Sequence, residues 1–232
     1  MRKESVKAVD VIFEDEDIIV VNKPAGRIVH PAPGHEAGAL TDELVARCPE
    51  MAGVGSAERP GVVHRLDIGT SGAMVFAKTR RAYLKLRAAF ESHKGVEKTY
   101  LAVVHGTPSP RRGTLRTLIG RKSWDAKRMA VVERDGAEAV THWEVLQRNG
   151  AVSLVEFRIE TGRMHQIRVH AAHLGHPIAG DDLYGDPAKD RGMRRRPGRP
   201  LLHAVELSFP HPATGRRVTF AAEPPEDIVW AG

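Results

Sequence analysis

Between Val152 and Glu160 the chain carries the alternation of a half-buried strand. Val155, Phe157 and Ile159 are interleaved with Glu156, Arg158 and Glu160, the period of two that buries one face of a sheet. The segment from Thr141 to Gln147 precedes it across Arg148-Asn149-Gly150, and an Asn-Gly step between apolar runs is hairpin chemistry. The pattern recurs. Val9 to Phe13 and Ile18 to Val21 flank an acidic turn, Glu14 to Asp17, and Val205 to Phe209 and Arg217 to Ala221 flank Pro212-Ala213-Thr214-Gly215. Val62-Val63, Ala73 to Ala77 and Val96 to His105 read as further strands. Helices are few. Leu40 to Ala46 is a short one, and Thr79 to His93 is the clearest, with Ala82, Tyr83, Leu86, Ala89 and Phe90 at helical spacing, Thr79 as N-cap and Gly95 as stop. Met164 to Leu174 is a third, ended by Gly175, while Val29 to Gly38 is loop. Hairpin-linked strands without interleaved helices predict an α+β fold: a mixed, mainly antiparallel sheet with flanking helices. No repeat or linker divides the chain, so residues 1–232 read as a single catalytic domain.

Composition narrows the setting. Cys48 is the only cysteine, which excludes an internal disulfide framework and a cysteine-rich metal site. No apolar run approaches the ~20 residues of a membrane span, and Met1 to Ser5 lacks the apolar core of a secretory signal. A reducing cytoplasm is therefore the expected location. The net charge of +6 favours a polyanionic partner. The basic residues cluster at Arg111-Arg112, Arg116, Arg121-Lys122, Lys127-Arg128 and from Lys189 to Arg199. The last cluster is broken by Gly and Pro and cannot form a regular helix; a solvated loop and a phosphate-touching arm are both open readings.

Chemistry concentrates in three places. Gly61-Val62-Val63-His64-Arg65-Leu66-Asp67-Ile68-Gly69-Thr70-Ser71-Gly72 carries an arginine and a carboxylate into a loop of small residues. Such a loop can surround Asp67 with backbone N–H groups. Asp67 is then either a turn-former or a nucleophile or general base, and a carboxylate in the second role needs a cation beside it. Arg65 and Arg168 are the candidates, and a unit pair at ~4 Å gains about 4 kcal/mol at an effective dielectric near 20. Arg168 shares a helix face with Met164, His165, Ala171 and Ala172, so it is either half-buried against an anion or snorkelling into solvent. Tyr100, between Lys98 and Val103 on a strand, is a core tyrosine or a stacking platform for a base. His165, His170, His173 and His176 sit at offsets that suit no common metal site, although Asp181 and Asp182 follow. Gly69 to Gly72 lacks the lysine of a phosphate-binding loop and the spacing of a serine nucleophile elbow.

These segments, in this order, closely resemble the pseudouridine synthases of the RluA type. The resemblance runs from Val9 to Glu223 and includes Asn22-Lys23-Pro24, Val29-His30-Pro31-Ala32-Pro33-Gly34, the Asp67 segment, Lys98-x-Tyr100, Glu160 to His170, His176-Pro177-Ile178-x-Gly180-Asp181, Leu183-Tyr184-Gly185 and Leu202-His203-Ala204. The His-Pro-Ala-x-Gly loop is most similar to the large-subunit rRNA branch. The resemblance implies a mixed sheet with a cleft along it, Asp67 as the catalytic aspartate, Tyr100 packed on the target base and Arg168 paired to Asp67. It also implies that Arg65 enters the RNA stack in place of a flipped uridine, with His64, Arg163 and His165 as further substrate-binding candidates. Isomerising uridine to pseudouridine consumes nothing, so no cofactor and no metal are implied. The implied partner is RNA, ribosomal or transfer, with no membrane and with the protein as a monomer. Many relatives carry a small RNA-binding domain of the S4 type before the catalytic part. This chain starts almost at the core, so specificity is expected from the core and its basic loops or from another protein. The alternatives are a non-catalytic RNA-binding or ribosome-assembly factor with the same fold and a glycosidase, and the latter lacks a second carboxylate near Asp67.

Overall fold

A computed structural model describes residues 9–32, 34, 37–122 and 125–229, so Pro33 of the His-Pro-Ala-Pro-Gly motif and Met1 to Ser5 lie outside the described residues. The strands are β1 (Asp10–Glu14), β2 (Ile18–Lys23), β3 (Gly55–Ser56), β4 (Arg59–Pro60), β5 (Ser71–Ala77), β6 (Glu97–His105), β7 (Arg112–Lys122), β8 (Asp125–Val132), β9 (Ala137–Asn149), β10 (Val152–Ile159), β11 (Leu202–Pro210) and β12 (Arg217–Ala221). The helices are α1 (Leu40–Arg47), α2 (Arg80–Ser92), α3 (Gln166–His173), α4 (Pro187–Arg191) and α5 (Glu226–Val229). One large sheet runs β1-β2-β5-β11-β6-β10-β9-β7-β8, with β12 on β11, and the two short strands β3 and β4 pair with each other. β5 and β11 are the one parallel pair in it; the other pairings are antiparallel. The expected mixed, mainly antiparallel α+β architecture is the one found.

The period of two decides which side chain enters which core. Ile19, Val21, Met74 and Phe76 enter one core with Tyr100, Ala102 and Phe157, covered by Leu40 and Leu44 of α1 and Ile167 and Ala171 of α3. Ile18, Val20, Ala73, Val75 and Ala77 enter the opposite core against Ala82, Leu86 and Phe90 of α2. β5 is therefore buried along its whole length. Thr79 caps α2 by accepting from the Ala82 N–H at 3.1 Å, and His93 ends it in the left-handed conformation, two residues before Gly95. Gly72 stands at φ +122 where β5 meets β11, and a Cβ there would run into the Ala204 backbone.

Two expectations need correction and one element goes beyond them. Val62-Val63 is not a strand; Val62 makes one isolated bridge to Phe76, because the chain turns away toward the Asp67 loop. The Lys189–Arg199 segment begins with the single helical turn α4, which Asp186 caps by accepting from the Ala188 and Lys189 N–H groups. The long hairpin β7–β8 was not anticipated at all. Its inward residues include Ile119, Met129 and Val131, which pack with Val169 of α3 and with Tyr184, while Arg112, Thr114 and Arg116 face out.

Candidate active site

A cleft of about 250 Å³ opens along the sheet, lined by the Asp67 loop, by Lys98 and Tyr100 of β6, and by Arg163, His165 and Arg168 around the start of α3. The Asp67 loop is held from below. Leu66 is buried in the core, the Asp67 carbonyl accepts from the Thr70 N–H, and the Ile68 carbonyl accepts from Gly26 N–H and from the Lys23 ammonium. Lys23 is fully buried and also donates to the Pro24 and Arg27 carbonyls; burial brings its pKa down to about 7, with the negative charge of Asp67 opposing the shift. A buried ammonium that spends its donors on three carbonyls fixes the chain at each of them.

Arg168 organises the opposite wall. Its Nε and Nη2 make a bidentate pair with the Asp181 carboxylate, both at 2.7 Å, and Nη2 also donates to Asp182 at 2.9 Å. That leaves Nη1 pointed at the Asp67 carboxylate, 3.6 Å away. Asp181 is fully buried at its side chain and accepts two more hydrogen bonds, from the Leu183 and Tyr184 N–H groups. The guanidinium also lies over the Tyr184 ring, 5.3 Å from its centroid. Arg168 is thus locked in place before any ligand arrives, and its planar fork is what makes the locking possible. Between the two arginines first considered, Arg168 is the one beside Asp67. Arg65 is exposed at the rim of the cleft, without an ion pair to Asp67 among the described residues. Nor does any described backbone N–H donate to the Asp67 carboxylate; its neighbours are Arg168 and His165.

His165 adopts φ 56, a left-handed conformation unusual for a side chain other than Gly, Asn or Asp. Its Nδ1 lies 2.9 Å from the Tyr184 hydroxyl, which already accepts from the Met129 N–H. The Tyr184 proton is therefore free to go to Nδ1. In that tautomer the imidazole proton sits on Nε2, the atom 3.9 Å from Asp67. Burial lowers the His165 pKa, with Asp67 pulling the other way. At the first residue of α3, the buried Gln166 accepts from the Thr161 hydroxyl and the Arg163 N–H and donates to the Val140 carbonyl and the Thr141 hydroxyl. That network sets the turn that delivers His165 and Arg168. Arg163 itself lines the cleft and donates to the Glu138 carbonyl.

Tyr100 is buried in the core but reaches the cleft floor; burial first, then the charge of Asp67, push its phenol pKa upward. His64 stacks on Phe90, ring centroids 4.5 Å apart, and its Nε2 accepts the Val75 N–H at 3.1 Å. Burial, with the charge of Lys98 second, pushes its pKa down to about 3, so His64 is a neutral wall of the cleft. The remaining histidines disperse: His170 is paired with Thr117 and Thr141, and His176 with the His105 carbonyl. Among the described residues no three His, Cys, Asp or Glu side chains converge as a metal ligand set. Asp181 and Tyr184 are the functional residues that sequence reasoning did not assign. Their positions inside Gly180-Asp181 and Leu183-Tyr184-Gly185 were the available signal.

Comparison with known proteins identifies the group. A family model described as RNA pseudouridylate synthase matches residues 17–173. The chain belongs to that family. It is 45% identical over 218 residues to an uncharacterized RNA pseudouridine synthase of Synechocystis, covering 93% of this chain and 65% of that protein. It is 46% identical over 219 residues to the uncharacterized RNA pseudouridine synthase YlyB of Bacillus subtilis, covering 94% and 70%. Against a ribosomal large subunit pseudouridine synthase D of Neisseria meningitidis it is 45% identical over 227 residues, covering 95% and 59%. The chain thus spans roughly three-fifths to seven-tenths of these relatives' lengths. The solved structure of human RNA pseudouridylate synthase domain containing 1 matches with a TM-score of 0.77 at 29% identity, covering 100% of this chain and 89% of that one. Human RNA pseudouridylate synthase domain containing 4 matches at 0.76 and 28%, covering 96% and 91%. The sheet and cleft described above are the fold of the family.

Proposed function

We propose that this protein is an RNA pseudouridine synthase whose catalytic group is Asp67, with large-subunit ribosomal RNA as its favoured substrate class and transfer RNA as the alternative. The observation that carries the reading is the pairing of Asp67 with Nη1 of an arginine whose other nitrogens are already committed to Asp181 and Asp182. Pure binding needs no such arrangement. A cation held at fixed distance supplies the carboxylate with a counter-charge once the substrate displaces water from it.

In this reading the reaction runs as follows for a uridine seated in the cleft. The N1–C1′ bond breaks with its electron pair leaving on the uracil. Asp67 either bonds to C1′ or takes a proton from the sugar in an elimination. The uracil turns on the Tyr100 ring, and a C5–C1′ bond forms as the Asp67–C1′ bond breaks or, in the elimination, as Asp67 returns its proton to the sugar. C5 then gives up its hydrogen as a proton and N1 gains one, so the product is an isomer and no cofactor or metal enters the balance. A stacked uridine cannot reach a cleft floor, so the base is flipped out at a cost of a few kcal/mol, and Arg65, exposed at the rim, is the residue proposed to fill the gap. His64 and His165 wall the base, and Arg163 stands at the rim. The excess of basic side chains fits an RNA partner. No helix among the described residues is long and apolar enough to cross a membrane. A monomer acting in the cytoplasm, with residues 1–232 as one catalytic domain, is the working picture. Incubation with unmodified ribosomal and transfer RNA transcripts, followed by nuclease digestion and nucleoside chromatography, tests it. Pseudouridine accumulating in either transcript supports the proposal; RNA binding without any pseudouridine refutes it.

A further inference from the structure

Lys98 is the unexplained group in the cleft. It is 8% exposed, and among the described residues its ammonium has neither a hydrogen-bond acceptor nor a carboxylate partner. Lys23, the other strongly buried lysine, satisfies three carbonyls; Lys98 satisfies none. Burial, and then the like charge of Arg163, lower its pKa to about 8. The ionisable groups coupled to its charge are His64, His93 and Arg163, none of them an anion, and a Cβ at Gly162 would fall 3.3 Å from Nζ. Glu91 also lines the cleft but is paired to Arg87. The stem of Lys98 is buried while its ammonium is not sealed from the cleft and has no anion to answer it, so a ligand seated in the cleft would supply the missing acceptor.

Its position says which ligand. Lys98 and Tyr100 are two residues apart on β6, so they share one face of the sheet, and both line the cleft. The charge of Asp67 acts on Tyr100 and His165, whereas the neighbouring charge acting on Lys98 is that of Arg163. The register agrees: the Asp67 loop enters β5 at Ser71, level with His203, Tyr100 is level with Ala204, and Lys98 is level with Leu207, so the Asp67 loop and Lys98 lie on opposite sides of Tyr100 along the strands. We propose that Lys98 is a catalytic residue that donates a hydrogen bond to the uracil carbonyl farthest from the ribose, stabilising the base as an anion once its bond to the sugar is broken. This rests on the synthase reading above.

The chemistry of uracil makes one fixed donor sufficient. When the N1–C1′ pair leaves on the base, the negative charge spreads over N1, O2 and O4. The carbonyl opposite N1 is C4–O4. To bring C5 to the place of N1, the ring turns either in its own plane or over about its N3–C6 axis. Both motions carry C2–O2 into the place that C4–O4 occupied. Lys98 thus meets a carbonyl oxygen before and after rotation, remains an ammonium throughout, and needs no movement of the protein. Arg168 cannot take this part, since Asp181, Asp182 and Asp67 occupy its nitrogens.

The test is Lys98→Met, which keeps the length and removes the charge, alongside Lys98→Arg. Single-turnover release of tritium from uracil C5 is measured with enzyme in excess over RNA, and RNA affinity is measured across a salt series. Lys98→Met should slow release about 100-fold, the size of effect seen when one donor to a developing anion is removed. Its RNA affinity should stay within about threefold and its salt slope should not change, because no phosphate contact is lost. Its melting temperature should match or exceed the wild type's, since a buried unpaired charge is gone. Lys98→Arg should recover part of the rate. Weakened affinity with a flatter salt slope and an unchanged single-turnover rate would overturn the inference in favour of a phosphate anchor. An unchanged rate and affinity would return Lys98 to a bystander. If Lys98→Met fails to fold, a wild-type rate in Lys98→Leu or Lys98→Gln equally overturns it. A wild-type protein inactive on every RNA would bring down the synthase reading itself, and this inference with it.

Discussion

Removing the Arg168 side chain should damage stability and activity together, by amounts that the ion-pair geometry sets. Arg168→Ala leaves the Asp181 carboxylate fully buried and stripped of its two 2.7 Å donors. Breaking a buried pair from one side costs about 3–5 kcal/mol, most of it the orphaned charge. The Leu183 and Tyr184 N–H groups still hold one Asp181 oxygen, which places the expected loss near the lower end of that range. For a domain of this size each kcal/mol moves the melting temperature by about 2–4 °C, so a drop of roughly 6–12 °C is expected. Scanning calorimetry reads it. The double variant Arg168→Ala/Asp181→Ala should be markedly less destabilised than the sum of the singles, because the orphan is removed with its partner. Both variants should lose turnover, since Nη1 no longer faces Asp67. Arg168→Lys should fall between, as a point charge cannot make the planar double contact. A single alanine variant melting with the wild type, or strictly additive effects in the double, would refute the account of this wall.

The buried histidines make stability fall with acid. His64 and His170 have folded pKa values of about 3 and about 4, below the ordinary value of 6.5. Both groups contribute fully above pH 6.5, and the contribution is lost as pH falls toward the folded values, because the unfolded chain binds the extra protons. For His64 alone, moving from pH 7 to 5 should cost about 2 kcal/mol, and His64→Phe should show a correspondingly shallower loss in urea titrations at the two pH values; identical pH slopes would contradict the assignment. Gly72→Ala should be among the most damaging single-methyl additions in the chain, at about 3 kcal/mol or more, because φ +122 is closed to alanine and the Ala204 backbone occupies the space. Near-native melting of that variant would mean that β5 and β11 are not seated as described.

The sheet was readable because its central strands keep strict alternation or are wholly apolar, and Thr79 marked the start of α2 by its hydroxyl. The β7–β8 hairpin was not readable for a physical reason. Its outward face carries the arginines, its inward face is only half-covered, and glycines at 113 and 120 interrupt it, so the charge concealed the period. Asp67, Tyr100 and Arg168 could be picked out as residue types in suggestive places, and the structure brings them to one cleft. What local sequence could not give was the identity of the main anion for Arg168. Asp181 lies 13 residues on, past the end of α3, and only the return of the chain after His176 sets it against the guanidinium. Lys98 stood in the Lys98-x-Tyr100 motif without a role for a related reason: an exposed and a buried lysine look alike in sequence.

The measurement that bears most directly on the role of Asp67 is tritium release from RNA labelled at uracil C5, run with the wild type beside Asp67→Asn, with RNA affinity measured in parallel. C5 loses its hydrogen only when the base is rejoined through that carbon. The expected result is release by the wild type, none by the Asn variant, and affinities within about threefold, since an Asp that faces Arg168 touches no phosphate. Near-normal release by Asp67→Asn would contradict the assignment of the chemistry to this carboxylate.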